Sequence, residues 1–328
     1  METAVPDSPL IRIRQFLLRP TIGPLIALLL ACAFFATQTP RFLTINNFSF
    51  ILQQSIVVSV LAIGQTLIIL TSGIDLANGA VMSLGAVFMV HLASRDGVNP
   101  FLAVGIGFAI TAGIGFINGL LVTRLRLPAF IVTLGMLGII YALTLIYTTE
   151  TIPAHPDQIF LGDGIKVAGT LITYGTIVMV LLFVLMWFML RETAFGRHIY
   201  AIGNNKEAVR LAGVSTDRLL IAVYSLAGLL YGVAALLLIA RTEVGDPQTG
   251  VAGNFNLESI TAVVLGGTSL FGGRGNVLGT LIGAVIIGVF RNGLLLMGIP
   301  SIYQLLITGI LVIMAVSVDQ LSQRGGRQ

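Results

Sequence analysis

Long apolar runs alternate with short polar or glycine-containing segments along the whole chain. A helix needs about 20 predominantly apolar residues to cross the hydrocarbon core of a bilayer. Ten runs approach that length, and they lie at 21–38, 51–71, 79–94, 101–122, 128–147, 170–190, 219–240, 257–271, 277–297 and 301–318. The pattern predicts an all-α polytopic membrane protein with about ten transmembrane helices, some of them short or broken.

The third and eighth runs are short for a full crossing, and glycine-containing breaks at Ser72–Gly79 and Gly266–Gly275 flank them. A broken helix is tolerated at membrane depth only where protein or a water-filled cavity surrounds the exposed backbone. These segments are therefore where we expect the translocation path. The alternative is that both runs are full-length helices whose ends are misplaced by a few residues.

Composition supports the membrane class. Of the 328 residues, 56% are hydrophobic and 10% are charged, whereas soluble domains carry about 25% charged residues. The net charge of +4 does not indicate nucleic acid, because the basic residues lie in short segments between apolar runs. With one cysteine, Cys32, and three histidines, the chain offers neither a disulfide framework nor a metal site.

Basic residues also predict the orientation, because cytoplasmic loops are enriched in Lys and Arg. With the N-terminus inside, thirteen fall in cytoplasmic segments, four fall outside and one, Arg291, stays in a span. Both termini are thus predicted to be cytoplasmic. The predicted organisation is a cytoplasmic N-terminal segment (1–20), a transmembrane domain (21–318) with an external loop (148–169) and a cytoplasmic loop (191–218), and a cytoplasmic tail (319–328).

The cytoplasmic loop contains one short predicted helix, 204–213. Asn204 followed by Glu207 fits a capping box, and Gly213 stands where a C-terminal capping glycine belongs. Such a helix is roughly 12 Å long and unstable alone in water. It must dock either on the ends of its own bundle or on a cytoplasmic motor. The candidate docking residues are Asn204, Lys206, Glu207, Ala208, Arg210, Leu211 and Gly213.

The run EAVRLAG (207–213) resembles the E-A-A…G signature of the coupling loop in permease subunits of bacterial ATP-binding-cassette importers. Val209 replaces the second alanine. The longer run from Ala201 to Arg241, together with stretches 70–87, 125–137, 257–299 and 301–319, is similar to the monosaccharide permeases of the ribose, xylose, arabinose and galactose type. The resemblance covers most of the chain from Thr44 to Asp319.

This resemblance implies a bacterial inner-membrane importer with several partners. A second permease subunit, identical or related, would share the pathway, a periplasmic sugar-binding protein would dock outside, and an ATP-binding subunit would dock inside. ATP and Mg would belong to that subunit, because GTSLFGGRGN (267–276) has glycines but lacks the lysine of a nucleotide-binding loop. We therefore expect no enzymatic activity and no cofactor on this chain, and a simple sugar as solute.

Several polar residues are candidates for a gate or pathway: Asp75, Asn78, Glu258, Gly266, Gly267 and Arg274. Asp75 could instead cap a helix starting near Leu76, and Glu258 could stabilise a helix N-terminus. Arg291 could extend its guanidinium to the outer interface, or it could have a role in the pathway.

The competing functional class is a secondary transporter or channel for a small neutral solute. Ion-coupled carriers usually bury ionisable residues at mid-depth, and the runs here are nearly free of them. A scaffold without transport activity is a third class, which the broken helices disfavour.

Overall fold

The computed structural model describes residues 22–167 and 170–325, so the predicted N-terminal segment 1–20 lies outside the described residues. In these ranges the helices are α1 Ile22–Gln38, α2 Ile45–Leu70, α3 Asn78–Ser94, α4 Pro100–Arg124, α5 Ala129–Tyr147, α6 Tyr174–Glu192, α7 Ala194–Leu211, α8 Thr216–Thr242, α9 Thr249–Ala252, α10 Phe255–Leu265, α11 Val277–Leu296 and α12 Ser301–Gly325. Two short 3₁₀ turns, Pro156–Gln158 and Phe160–Gly162, lie between α5 and α6.

Six described helices are long and apolar enough to cross a membrane: α2, α4, α5, α6, α8 and α11. Shorter apolar helices are α1, α3, α10 and the Ile302–Met314 part of α12. Each predicted apolar run thus contains a helix, and the chain is a mostly helical, multi-pass membrane protein. The third and eighth runs do form short helices, of 17 and 11 residues.

The all-α prediction omitted four short strands, β1 Ile152–Pro153, β2 Gly164–Val167, β3 Thr170–Thr173 and β4 Val244–Gly245. β1 pairs antiparallel with β4, and β2 pairs antiparallel with β3. The run predicted as a helix from 170 therefore begins as a strand, because its threonine and isoleucine residues favour extended structure. Thr173 then caps α6 by accepting a hydrogen bond from the Thr176 N–H at 3.3 Å.

Other predicted boundaries are wrong by several residues. α2 begins at Ile45 rather than 51. Its first turn includes the polar residue Asn47, which is buried and whose side-chain amide donates to the Phe42 carbonyl at 2.8 Å. α10 ends at Leu265 rather than 271, where Gly267 has a φ of +83°. The segment predicted as a tail from 319 is helical as far as Gly325.

The buried core surrounds α2. In its most apolar window 83% of residues are buried, against 28% for α4 and for α5. The peripheral helices expose large apolar side chains such as Ile146 and Leu181. A lipid environment tolerates that exposure because hydrocarbon chains are as apolar as these side chains.

Glycines bring α4 and α8 into backbone contact. A Cβ on Gly115 would overlap the Tyr224 carbonyl oxygen, and one on Gly228 would overlap the Thr111 carbonyl oxygen. The spacings Gly115–Gly119 and Gly228–Gly232 are the small-residue pattern that allows membrane helices to approach closely. This crossing therefore depends on residues without side chains.

Replacement of Gly115 by alanine tests that dependence. Because the Tyr224 backbone cannot retreat easily, overpacking is expected to cost about 1–3 kcal/mol, seen as a lower Tm in detergent. Gly113 lies on the same helix, and a Cβ added there would meet no atom within 4 Å, so Gly113→Ala is the matched control. An equal Tm for both variants would contradict the packing argument.

Candidate functional site

Three separate segments meet at one end of the bundle, and we call this contact the three-segment junction: residues 70–73, 200–205 and 266–275. The Ser72 hydroxyl donates to the Phe271 carbonyl at 2.8 Å and faces the Gly203 carbonyl at 3.2 Å. The Gly273 N–H donates to the Leu70 carbonyl at 2.9 Å. Both breaks predicted from the sequence, after α2 and after α10, are thus joined to the loop that was predicted to be cytoplasmic (191–218).

The junction has no room for side chains at its centre. A Cβ on Gly203 would overlap the Leu70 carbonyl oxygen, and one on Gly272 would overlap the Ser72 hydroxyl. Gly272 and Gly273 have φ values of +86° and +68°, which glycine adopts without steric cost. The segments therefore interlock through their main chains.

Tyr200 adds a side-chain tie to the same junction. Its hydroxyl donates to the Gly275 carbonyl at 3.1 Å. Burial raises the pKa of the Tyr200 phenol, because the charged phenolate loses hydration there. The hydroxyl therefore remains a donor at neutral pH.

Helix α7 contains a sharp break at Asn205, whose φ of −160° and ψ of 97° are not helical. The Asn205 side chain accepts a hydrogen bond from the Ala208 N–H at 3.0 Å. The predicted cap at Asn204 is therefore wrong by one residue. Asn204 instead ends the preceding helical segment and lies against Gly273.

The predicted capping box is also absent, because the Glu207 carboxylate contacts the Arg210 guanidinium at 3.0 Å. Sequence reasoning missed the helical segment 194–204. Thr193 caps it by accepting from the Gly196 N–H at 3.2 Å, and Ile199 and Ile202 are buried. The signal was present in the spacing of Phe195, Ile199 and Ile202, which places them on one helical face.

We call residues 206–213 the coupling helix. Gly213 ends it with a φ of +87°, and its N–H donates to the Arg210 carbonyl at 3.0 Å, as predicted. Leu211 is 81% exposed. Its neighbours are also exposed, and these are Lys206, Glu207, Ala208, Arg210 and Ala212. The face predicted to dock is therefore not covered by the described part of the chain.

The other residues predicted as a gate or pathway in the break after α10 contribute mainly through their main chains. Gly266 packs against Gly279 at the start of α11. Gly267 is exposed. Arg274 is also exposed, and its carbonyl accepts from the Ser269 N–H at 2.9 Å. These residues shape the break, and their side chains do not converge on one pocket.

Asp75 lies in the first break and is 2% exposed. Its carboxylate accepts from the Ala77 N–H at 2.8 Å, and α3 begins at Asn78 rather than at Leu76. The Asn78 amide bridges the Gln65 side chain at 3.2 Å and the Ser259 hydroxyl at 2.7 Å. The Asp75 carboxylate thus closes a local turn ahead of α3 and does not cap the helix, whose N-cap residue Ala77 has no side-chain cap, while Asn78 links α2, α3 and α10.

Glu258 lies on α10 with its side chain 13% exposed, 3.6 Å from the Arg291 guanidinium. Arg291 is the fifteenth of the 20 residues of α11. Its guanidinium faces the Glu258 carboxylate across the two helices.

Replacement of Ser72 by alanine removes a hydrogen bond that joins the two breaks. Because a typical intramolecular hydrogen bond contributes about 1 kcal/mol, we expect faster hydrogen exchange at the Gly273 amide and a slightly lower Tm. Ser215 has no side-chain hydrogen bond at the start of α8, so Ser215→Ala is the control. Unchanged exchange at Gly273 would show that Ser72 does not hold the junction.

Apolar helices long enough to cross a bilayer, with the breaks after α2 and α10 joined at one end of the bundle, indicate a multi-pass membrane protein. The chain belongs to the family described as branched-chain amino acid transport system / permease component, which matches residues 47–316.

Similar proteins extend over nearly the whole chain. A fructose import permease protein of Rhizobium meliloti is 45% identical over 92% of this chain and 85% of its own length. Ribose import permease proteins of Escherichia coli K12 and Bacillus subtilis are 40% and 38% identical, each over 91% of this chain and over 93% and 92% of their own lengths. No solved structure gives a significant match.

Proposed function

We propose that this chain is the membrane-spanning subunit of an ATP-driven importer that carries a simple sugar across the bacterial inner membrane. Relatives named as ribose and fructose import permeases support the sugar class. A separate subunit would bind ATP and Mg, a periplasmic binding protein would deliver the sugar, and a second permease subunit, identical or related, would complete the pathway.

The observation behind this proposal is the coupling helix, which is exposed and begins, directly after Asn205, beside the three-segment junction. A short polar helix is marginal in water, so a protein partner on its exposed face would stabilise it. An ATP-binding subunit that displaces this helix would pull on Gly203. Since Gly203 contacts both Leu70 and Gly273, both broken helices would respond together.

Ten crossings with both termini in the cytoplasm are part of the proposal. Segments assigned to the outer side lie together, because Arg95 pairs with Glu150 at 3.1 Å and the Ser94 hydroxyl donates to the Pro153 carbonyl at 2.9 Å. Segments assigned to the cytoplasm meet at the three-segment junction. This grouping of loops favours an even number of crossings.

Leu211→Asp tests the docking role of the coupling helix. A charge in a docked apolar contact would be desolvated without a partner, so we expect the purified variant to lose its ATP-binding subunit. The measurement is co-purification of the subunit with a tagged permease, followed by sugar-stimulated ATPase activity.

Ile165→Asp is the matched control, because Ile165 is also exposed but lies on strand β2 of the external loop. This variant should retain the ATP-binding subunit. Full co-purification with Leu211→Asp would remove the coupling helix from the docking surface.

Proteoliposomes test the function itself. Uptake of ribose or fructose should require the permease, the ATP-binding subunit, the binding protein and ATP together. The control replaces ATP by a proton or sodium gradient, with the ATP-binding subunit left out. Sugar uptake in that control would support a secondary transporter instead.

A further inference from the structure

A polar cleft lies between α10, α11 and α12, in the part of the chain assigned to the membrane. Its volume is about 270 Å³. The polar residues on its walls are Asn254, Glu258, Arg291, Gln304 and Thr308, and apolar residues such as Ile287 and Leu311 complete it. Polar groups at membrane depth face protein or water rather than lipid.

The two charged groups in this cleft have unused hydrogen-bonding capacity. The Arg291 Nη1 to Glu258 Oε1 distance is 3.6 Å, which is longer than a charge-assisted hydrogen bond of about 2.7–2.9 Å. Glu258 Oε2 is buried and has no hydrogen-bond partner among the described residues. The Arg291 side chain retains 38% exposure.

If Glu258 and Arg291 served only to stabilise the fold, we would expect their carboxylate and guanidinium groups to lie within hydrogen-bond distance of each other. A buried charge is costly unless hydrogen bonds satisfy it, and a buried acceptor without a donor also destabilises the folded state. The terminal torsion of glutamate is broad, so a rotation of the carboxylate brings either oxygen toward the cleft. The Glu258 carboxylate therefore lacks a hydrogen-bond donor, which a bound molecule could supply.

Arg241 reinforces the cluster from α8. Its guanidinium donates to the Gln54 carbonyl at 3.2 Å, and it interacts electrostatically with Glu258, as Arg291 does. Two guanidinium groups thus favour the charged form of this carboxylate, which can act as an acceptor in the cleft.

We propose that this cleft is a low-affinity site for one sugar ring on its way through the permease. A sugar hydroxyl donates to Glu258 and accepts from Arg291, while the amide of Gln304 serves further hydroxyls and Ile287 contacts the ring. The volume lies just below the range of about 300–1,000 Å³ for ligand sites, which suits a monosaccharide. The proposal rests on the proposed function.

The test uses the reconstituted complex and Glu258→Gln, which keeps the side-chain volume and removes the charged acceptor. We expect ribose or fructose uptake per ATP hydrolysed to fall about tenfold, because a hydrogen bond to a charged group is lost. ATPase stimulation by the sugar-loaded binding protein should stay within about twofold of wild type.

Glu243→Gln is the matched control, since Glu243 is exposed at the end of α8 and has no side-chain hydrogen bond or ion pair among the described residues. It should transport normally. Arg291→Lys keeps the positive charge but loses the planar guanidinium and its paired N–H donors. It should lower sugar uptake per ATP hydrolysed as Glu258→Gln does, and it serves as the test if the Glu258→Gln complex fails to assemble.

Equal uptake per ATP in wild type, Glu258→Gln and Arg291→Lys would overturn the proposal, and so would a parallel fall in ATPase activity, which would indicate a structural role. Hydrogen exchange of the wild-type chain gives a second readout: millimolar ribose or fructose should protect amides of residues 255–265. If ribose 5-phosphate protected these amides and neither ribose nor fructose did, the proposal that the cleft binds a neutral sugar would be wrong. Absence of ATP-driven sugar uptake by the wild type would instead refute the proposed function.

Discussion

The structure depends on how two interrupted helices satisfy their main-chain hydrogen bonds where they meet at one end of the bundle. Main-chain N–H and C=O groups that are buried away from water need a partner within the protein. The C-terminal end of α2 and the break after α10 solve this together, since the Gly273 N–H donates to the Leu70 carbonyl. Each interruption therefore stabilises the other, and neither can move far alone.

This pairing also determines where the coupling helix lies. Gly203 fits between Leu70 and Gly273 because it has no side chain, and the chain leaves that contact at once through the extended residue Asn205. The coupling helix thus extends from a fixed point while its own surface stays exposed. A partner bound there would act on both interruptions through a single main-chain contact.

The features that could be predicted from the sequence are those determined by local composition. Apolar runs located the helices, because transfer into lipid depends on the composition of a continuous segment. Gly213 located the end of the coupling helix, because the positive φ of a helix C-terminus favours glycine. The cap at Asn205 was missed because Asn204 belongs to an earlier helix held by buried Ile199 and Ile202. Contacts between distant segments, such as Ser72 with Phe271, leave no periodic signal in the chain.

Three buried or half-buried charged side chains show why burial alone does not identify a functional residue. Asp75 is almost fully buried, and its carboxylate accepts a hydrogen bond from the Ala77 N–H two residues along the chain. Glu258 and Arg291 come from different helices and remain too far apart for a hydrogen bond. Because unsatisfied charge is costly in a membrane, a cluster retained in this state is better explained by a passing ligand than by stability, whereas Asp75 is explained by the local turn.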